Sequence, residues 1–402
     1  MGPQNSVPKS GRLRVLLGAA FLMATSAIGP GFLTQTVVFT GALGASFGFA
    51  ILVSVLCDLA AQLTVWRVII AARLPAQVLA DRVIPGLGAT LAILVALGGL
   101  AFNIGNVAGA GLGLNALLGM APKAGAALSA LLAIGIFLSR EAGRAMDRFA
   151  QLMGAVMVLL SVYVAVAARP PLGEALLRTV APQQLGVLSI LTIVGGTVGG
   201  YITFAGAHRL LDAGIAGPEA VGAATRSAVT GIGIATLMRV VLFLGALGIV
   251  SRGLQFDPSN PPASMFRLAA GEAGYRFFGA VMWAAAITSV VGSAYTSVSF
   301  IRTLRPAWES RTAPLIVAFI TLSTAIFLSV GRPVAILILV GALNGLILPF
   351  GLAAMLLASR RAVLMHGYRH PRTLTLAAAL VAVAMTGMGI YAMATELPKL
   401  FR

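Results

Sequence analysis

Charged side chains are scarce in this sequence. Only 10% of the 402 residues are Asp, Glu, Lys or Arg, whereas 59% are hydrophobic and the mean hydropathy is +0.98. A water-soluble domain carries about 25% charged residues. Most of this surface must therefore face an apolar medium, which excludes an ordinary soluble domain and indicates a lipid bilayer.

Cysteine and the common catalytic motifs are also missing. Cys57 is the single cysteine, so the sequence excludes a disulfide framework and a cysteine-based metal site. No His-Glu-X-X-His motif, nucleophile elbow, paired intramembrane carboxylates or Gly-rich phosphate loop occurs. We therefore expect neither an enzyme nor an ATP-driven pump, and no cofactor. The sequence does not distinguish a carrier from a channel, which is the alternative.

Apolar runs long enough to cross a bilayer, about 20 residues each, recur along the chain. The 47 glycines suit membrane helices, where small residues allow close packing. The first run resembles a signal peptide, but ten more runs follow it, so we interpret it as the first helix. The predicted spans are 13–41, 46–72, 86–119, 122–138, 145–167, 187–215, 221–250, 272–304, 312–330, 332–358 and 373–397.

The net charge of +17 comes from basic residues scattered in short loops between these runs. Because they form no cluster, aromatic platform or basic helix face, we exclude a nucleic-acid partner. With the N-terminus inside, 18 of the 28 Lys and Arg residues lie on the cytoplasmic side and nine outside. The positive-inside rule thus predicts a multi-pass protein of a bacterial inner membrane, with its C-terminus outside.

Two spans contain helix-breaking sequences at matching positions. Pro30 lies between Gly29 and Gly31 in span 1, and Gly199-Gly200-Tyr201 interrupts span 6. Paired breaks are typical of two inverted five-helix repeats with a site between them. We predict one transmembrane domain over 1–402, with repeats at 13–167 and 187–358 and an additional helix at 373–397. The alternative is that these are ordinary packing glycines.

These residues resemble the Nramp family of divalent-metal transporters, whose first helices carry Asp-Pro-Gly-Asn and a following Gly-Ala-X-Phe-Gly-Tyr segment. The similar segments here are Gly29-Pro30-Gly31-Phe32, Gly44-Ala45-Ser46-Phe47-Gly48-Phe49, 106–119 in span 3, 286–293 in span 8 and Leu348-Pro349-Phe350 in span 10. The resemblance covers spans 1–10. It implies an all-α, LeuT-like fold of 5+5 inverted repeats, with about eleven transmembrane helices and broken helices 1 and 6.

The metal ligands that the resemblance would imply are not at the matching positions. Gly29 and Phe32 stand where the family has the ligating Asp and Asn, and Gly199-Gly200-Tyr201 aligns with Met-Pro-His. The family's acidic proton-path position in span 3 is Asn103 here. Manganese and iron(II) need hard oxygen and imidazole donors, for which backbone carbonyls and a tyrosine are a poor substitute. We therefore expect a divergent member that lacks the metal-binding motif and carries another solute.

An anion suits the site at the two helix breaks better than a divalent cation does, because the N-terminal ends of the second half-helices favour negative charge. We expect a secondary transporter of a small polar or anionic solute, such as a small carboxylate. Arg239 in span 7 would be its counter-charge, or else a structural group. For the hydroxyl groups, bonding to their own helix is the alternative. The predicted substrate-binding residues are Gly29, Gly31, Phe32, Gln35, Asn103, Gly199, Gly200, Tyr201, Thr203 and Arg239.

Coupling to H⁺ or Na⁺ is suggested by three further side chains. Asp58 in span 2 is a carboxylate well inside a span, so it is a candidate proton site, a partner of Arg239 or a helix-packing group. Thr288 and Ser289 in span 8 lie where hydroxyls of LeuT-like folds complete a sodium site, although hydroxyls also pack helices. The remaining alternative is Nramp-type divalent-cation transport, with Mg²⁺ favoured over Mn²⁺ and Fe²⁺.

Overall fold

The computed structural model describes residues 9–304 and 306–395, and these fold almost wholly as helices. Short 3₁₀ turns connect some of them. In chain order the α-helices are α1 (Lys9–Ala27), α2 (Pro30–Leu43), α3 (Phe47–Ala72), α4 (Ala76–Val83), α5 (Leu87–Leu118), α6 (Pro122–Leu138), α7 (Arg140–Ala167), α8 (Leu172–Val180), α9 (Val187–Val198), α10 (Ile202–Asp212), α11 (Val221–Val250), α12 (Pro261–Ile301), α13 (Thr312–Val330), α14 (Pro333–Ser359) and α15 (Arg372–Thr395).

Apart from the short α4 and α8, the helices group into the eleven predicted spans. Nine segments of the described chain are long and apolar enough to cross a membrane, and two shorter apolar helices accompany them at Val15–Ala27 and Pro122–Leu138. Spans 1 and 6 each consist of two half-helices, α1 with α2 and α9 with α10. The predicted all-helical membrane fold with broken helices 1 and 6 is confirmed. The repeat boundaries at 13–167 and 187–358 stay predictions.

Three helical segments were not predicted from the sequence. Helices α4 and α8 are short, and α4 follows the fixed backbone of Pro75. Helix α12 starts at Pro261 and bends at Ala270–Gly271, where Gly271 has a φ of +65°. The predicted start of span 8 at 272 coincides with this bend, so the preceding turns are an additional helix. Residues 396 and 397 of predicted span 11 lie outside the described part.

Long helices enclose both breaks. Helix α5 packs along α12, α14 packs on α9, and α3 packs on α11 and α9. Trp66 of α3 is fully buried and donates its indole N–H to Thr203 O of α10 over 3.0 Å. The second half of span 6 is therefore held against span 2, and both breaks lie in the protein interior.

Candidate substrate site at the helix breaks

The first break separates Ala27 from Pro30. Gly29 is extended, with φ −108° and ψ −173°, and Pro30 occupies the first helical position of α2, where its missing N–H costs nothing. The first N–H groups of α2 lack intrahelical partners, as at any helix N-terminus. A Cβ on Gly29 would lie 3.7 Å from Asn106 Oδ1 and 3.9 Å from Ser289 Oγ. Two polar oxygens from α5 and α12 thus face this break.

The second break separates Val198 from Ile202. Gly200 has a left-handed φ of +55°, and a Cβ there would collide with Asn344 Oδ1 of α14. Thr203 donates its hydroxyl to Val198 O, the last carbonyl of α9. Thr203 therefore joins the two half-helices, and its hydroxyl is already paired.

Gln35 and Tyr201 connect the two breaks to their surroundings. Gln35 Nε2 donates to Leu337 O of α14 over 2.8 Å, and a Cβ on Gly196 of α9 would lie 2.8 Å from its Oε1. Tyr201 is buried and is hydrogen-bonded to Ser26 at the end of α1. Its ring packs edge-on against that of Phe102 on α5, with the ring centres 5.5 Å apart. Both predicted residues therefore lie between spans 1 and 6.

Arg239 lies beside both breaks, in the interior of α11. It is 2% exposed, so it does not reach a membrane interface. Its Nη1 donates to Thr197 Oγ1 over 3.0 Å and to Ile193 O over 3.4 Å, both near the end of α9. Its guanidinium carbon lies 4.1 Å from the centre of the Phe32 ring, at the start of α2. Nε and Nη2 have no hydrogen-bond partner among the described residues.

Asp58 lies close to this arginine, on α3, and is 2% exposed. Its Oδ2 accepts a hydrogen bond from Ser54 Oγ over 3.2 Å, whereas Oδ1 has no partner in the described ranges. Asp58 and Arg239 line one small cavity of about 10 Å³, enough for a single water molecule. We call Arg239, Asp58, Thr197, Phe32 and Ser54 the Arg239 cluster.

A second group of polar side chains lies between α5, α12 and α13. Asn103 Nδ2 donates to Ser323 Oγ over 3.0 Å, and Asn103 Oδ1 accepts from Ser293 Oγ over 3.0 Å. Asn106 Nδ2 lies 3.5 Å from the same Ser293 Oγ. We call Asn103, Asn106, Ser293 and Ser323 the Asn103 cluster. The nitrogen and the oxygen of the Asn103 side-chain amide are both paired, and they join α5 to α13 and α12.

The two predicted sodium-site hydroxyls differ in their contacts. Thr288 donates to Ala284 O and Ala285 O of its own helix over 3.1 and 3.0 Å. Ser289 faces Gly29 at the first break. Only the second hydroxyl is therefore positioned beside the broken helix. Among the described residues, no three His, Cys, Asp or Glu side chains gather in a group able to hold a metal ion.

Two residues of this region were not among the predicted site residues. Thr197 accepts a hydrogen bond from Arg239. Asn344 Nδ2 donates to Gly98 O over 3.2 Å and to Val340 O over 2.9 Å, and Asn344 Oδ1 occupies the space that a Cβ on Gly200 would need. Asn344 Oδ1 is buried and has no hydrogen-bond partner within the described chain. An amide in the middle of an apolar span is a sequence signal that would have identified Asn344.

Comparison with known proteins identifies the family. The chain matches the natural resistance-associated macrophage protein-like (Nramp) family over residues 20–395. It is 55% identical over 393 residues to the uncharacterized membrane protein YcsG of Bacillus subtilis (strain 168), covering 98% of this chain and 97% of that protein. An uncharacterized membrane protein of Haemophilus influenzae is 54% identical over 374 residues, covering 93% and 94%.

Solved structures support the same fold. The Eremococcus coleocola manganese transporter in complex with an aromatic bis-isothiourea substituted compound superposes with a TM-score of 0.73 at 16% identity, covering 100% of this chain and 90% of that one. The nucleobase-cation-symport-1 family transporter Mhp1 has a TM-score of 0.59 at 16% identity, covering 94% and 92%. Together with the two broken spans, these findings show that the chain belongs to the Nramp family of membrane transporters and has the LeuT-like fold.

Proposed function

We propose that this transporter carries a small anionic solute bearing a carboxylate, by alternating access around the two breaks, with H⁺ or Na⁺ as the coupling ion. The observation that carries the proposal is the unpaired Nε–Nη2 edge of Arg239. That edge of a guanidinium matches the two oxygens of a carboxylate and binds them with two parallel hydrogen bonds.

The local charges support an anion over a cation. The half-helix α2 directs its N-terminal N–H groups toward the break, and Phe32 at its start contacts the Arg239 guanidinium. In the part of the chain that the structure describes, the carboxylate that lines the Arg239 cavity is that of Asp58, and it lies beside the arginine. A divalent cation entering here would meet an arginine rather than a pair of acids.

We place the protein in a bacterial inner membrane, with its N-terminus inside and its C-terminus outside. The support is the two-to-one excess of basic residues in the segments assigned to the cytoplasm. Fixing a single cysteine at either terminus of a Cys57→Ser protein and labelling intact cells with an impermeant maleimide tests this orientation. Labelling of the N-terminal cysteine in intact cells would refute it.

Divalent-cation transport is the second candidate, favoured by one observation. Asn106 Oδ1 and Ser289 Oγ both face Gly29, and amide and hydroxyl oxygens are ligands of hard cations. Mg²⁺, which retains much of its hydration, fits such neutral oxygens better than Mn²⁺ or Fe²⁺ does.

Uptake into proteoliposomes distinguishes the two candidates. The purified protein is tested with radiolabelled pyruvate, lactate, succinate and glutamate and with Mn²⁺ and Mg²⁺, under imposed H⁺ and Na⁺ gradients. Protein-free liposomes measure the passive leak of the undissociated acids. Saturable uptake of a carboxylate without metal flux supports the anion proposal. Saturable metal flux without carboxylate uptake would refute it.

A further inference from the structure

We propose that Asp58 and the substrate carboxylate pair with Arg239 in alternation, so that one proton travels with each carboxylate. The inference rests on the proposed function and adds the identity of the coupling ion, the residue that carries it and the stoichiometry. The substrate class it specifies is a monocarboxylate, or another solute with one carboxylate available to the arginine.

The geometry gives both groups an unsatisfied atom at one place. Asp58 Oδ1 and Arg239 Nε and Nη2 are buried without hydrogen-bond partners in the described segments. Both side chains line the same cavity, but no direct ion pair within 4.0 Å joins them in the described chain. The remaining atoms are held: Ser54 binds Asp58 Oδ2, and Thr197 binds Arg239 Nη1. The arginine is therefore fixed in place with its carboxylate-binding edge still free.

Charge neutrality couples the two events. With Asp58 ionised and Arg239 protonated, the buried cluster carries no net charge. Entry of a carboxylate would add one negative charge to a site from which water is largely excluded, and an uncompensated buried charge is strongly unfavourable. Protonation of Asp58 removes the negative charge that competes with the substrate for the guanidinium. The neutral state is then restored by the ion pair between Arg239 and the substrate.

Other titratable groups do not offer the same exchange. On α3 itself, Cys57 is next to Asp58 in the chain, and Ser54 donates a hydrogen bond to Asp58. Helices α2, α9 and α14 contain no titratable side chain. On α11, Arg239 faces Asp58 whereas Arg226 is exposed. The titratable side chains of α4, α8, α10 and α15 do not line this cavity. Arg239 is the charged group that the structure places opposite Asp58.

The proton balance of the cycle is complete. On the side of higher proton concentration, Asp58 takes a proton from solution and the carboxylate enters as an anion. After the conformational change the carboxylate leaves Arg239, and the returning attraction of the arginine favours ionised Asp58, which releases the proton. One carboxylate and one proton cross together, so no net charge moves for a monocarboxylate.

The test measures accumulation of pyruvate, or of the best-transported acid of the panel, under a gradient of one pH unit. One-to-one coupling predicts about tenfold accumulation at equilibrium in the wild type, unchanged by a valinomycin-imposed membrane potential. Asp58→Asn should accumulate nothing above the outside concentration, yet still exchange labelled for unlabelled substrate. Glu272→Gln, which removes an exposed carboxylate on α12, is the matched control and should behave as wild type.

A second measurement keeps the test independent of the stability of the Asp58 variant. Titration calorimetry of the wild type in two buffers of different ionisation heat should show about one proton taken up per carboxylate bound. Carboxylate transport with pH-driven accumulation retained in Asp58→Asn, or with no proton uptake on binding, would overturn this inference and leave the proposed function standing. Absence of carboxylate transport in the wild type would overturn the proposed function and the inference together.

Discussion

The two polar clusters of the interior differ in how completely their atoms are paired. In the Asn103 cluster, the oxygen and nitrogen of Asn103 each have a hydroxyl partner, and three helices are joined. In the Arg239 cluster, both charged side chains are held by one end and unpaired at the other. Burying a polar atom without a partner costs about 1–3 kcal/mol, and more for a charged one.

The contrast assigns different roles to the two clusters. An amide such as that of Asn103, whose oxygen and nitrogen are both paired, stabilises packing and has nothing left to offer a ligand. A cluster that retains buried, unpaired donor atoms beside a broken helix is the binding site that we propose, because a ligand can supply the missing partners. The transported solute should therefore be recognised by the Arg239 cluster, and the Asn103 cluster should hold the helices that surround it.

Removal of the arginine should have the largest effect. Arg239→Gln deletes the carboxylate-binding edge, and we expect carboxylate uptake to fall by about a hundredfold or more, since a charge-assisted bidentate pair is lost from a buried site. Arg239→Lys keeps the charge without the fork and should retain partial activity. The matched control, Arg226→Gln on the exposed face of the same helix, should transport normally. Equal activity of Arg239→Gln and Arg226→Gln would show that the arginine does not bind substrate.

A substitution in the second break should have an intermediate effect. Gly200→Ala places a side chain at a φ of +55° and against Asn344, so the break should be strained by about 1–3 kcal/mol. We expect roughly tenfold slower uptake, because strain of this size at the moving joint corresponds to about one power of ten in rate. Gly222→Ala, where a Cβ meets open space, is the control. Unchanged uptake in Gly200→Ala would show that the conformation of the second break does not control the rate of transport.

Disruption of the Asn103 cluster should lower stability more than transport. Ser293→Ala removes the hydroxyl that donates to Asn103 Oδ1, and we expect a loss of about 1 kcal/mol in unfolding free energy, as for other interhelical hydrogen bonds in membranes. Substrate KM should stay near wild type. Ser299→Ala, whose hydroxyl bonds only its own helix through Thr296 O, is the matched control in thermal-unfolding and uptake assays. A large rise in KM with unchanged stability would place the substrate at the Asn103 cluster instead.

The smallest effect concerns a histidine outside the membrane, in the loop between α14 and α15. Burial, together with the nearby Arg67, lowers the pKa of His370 to about 4. Because the unfolded chain binds this proton near pH 6.5 and the folded chain does not, folded-state stability should decrease as pH falls from about 6.5 to 4. His370→Gln should reduce that decrease slightly in pH-dependent thermal unfolding, whereas His366→Gln, at an exposed position, should not. An identical pH profile for both variants would contradict this assignment.

The sequence predicts the helices and their breaks well, because both depend on local chemistry. Pro30 and the Gly199–Gly200 pair act on their own backbone, and long apolar runs mark the spans. The pairing of Arg239 with Thr197 depends on how α11 packs against α9, which local patterns do not contain. For the same reason the sequence left Asp58 with three roles open. Asn103 stays a predicted substrate-site residue, and its partners in the structure are hydroxyls on α12 and α13.

The most direct measurement is an electron cryomicroscopy structure of the protein with the best-transported carboxylate bound. We expect carboxylate density beside the second break, with its two oxygens about 2.7–2.9 Å from Nε and Nη2 of Arg239. Density between Gly29, Asn106 and Ser289 with the arginine edge unoccupied, or a bound divalent cation there, would contradict the assignment of the substrate site to the Arg239 cluster.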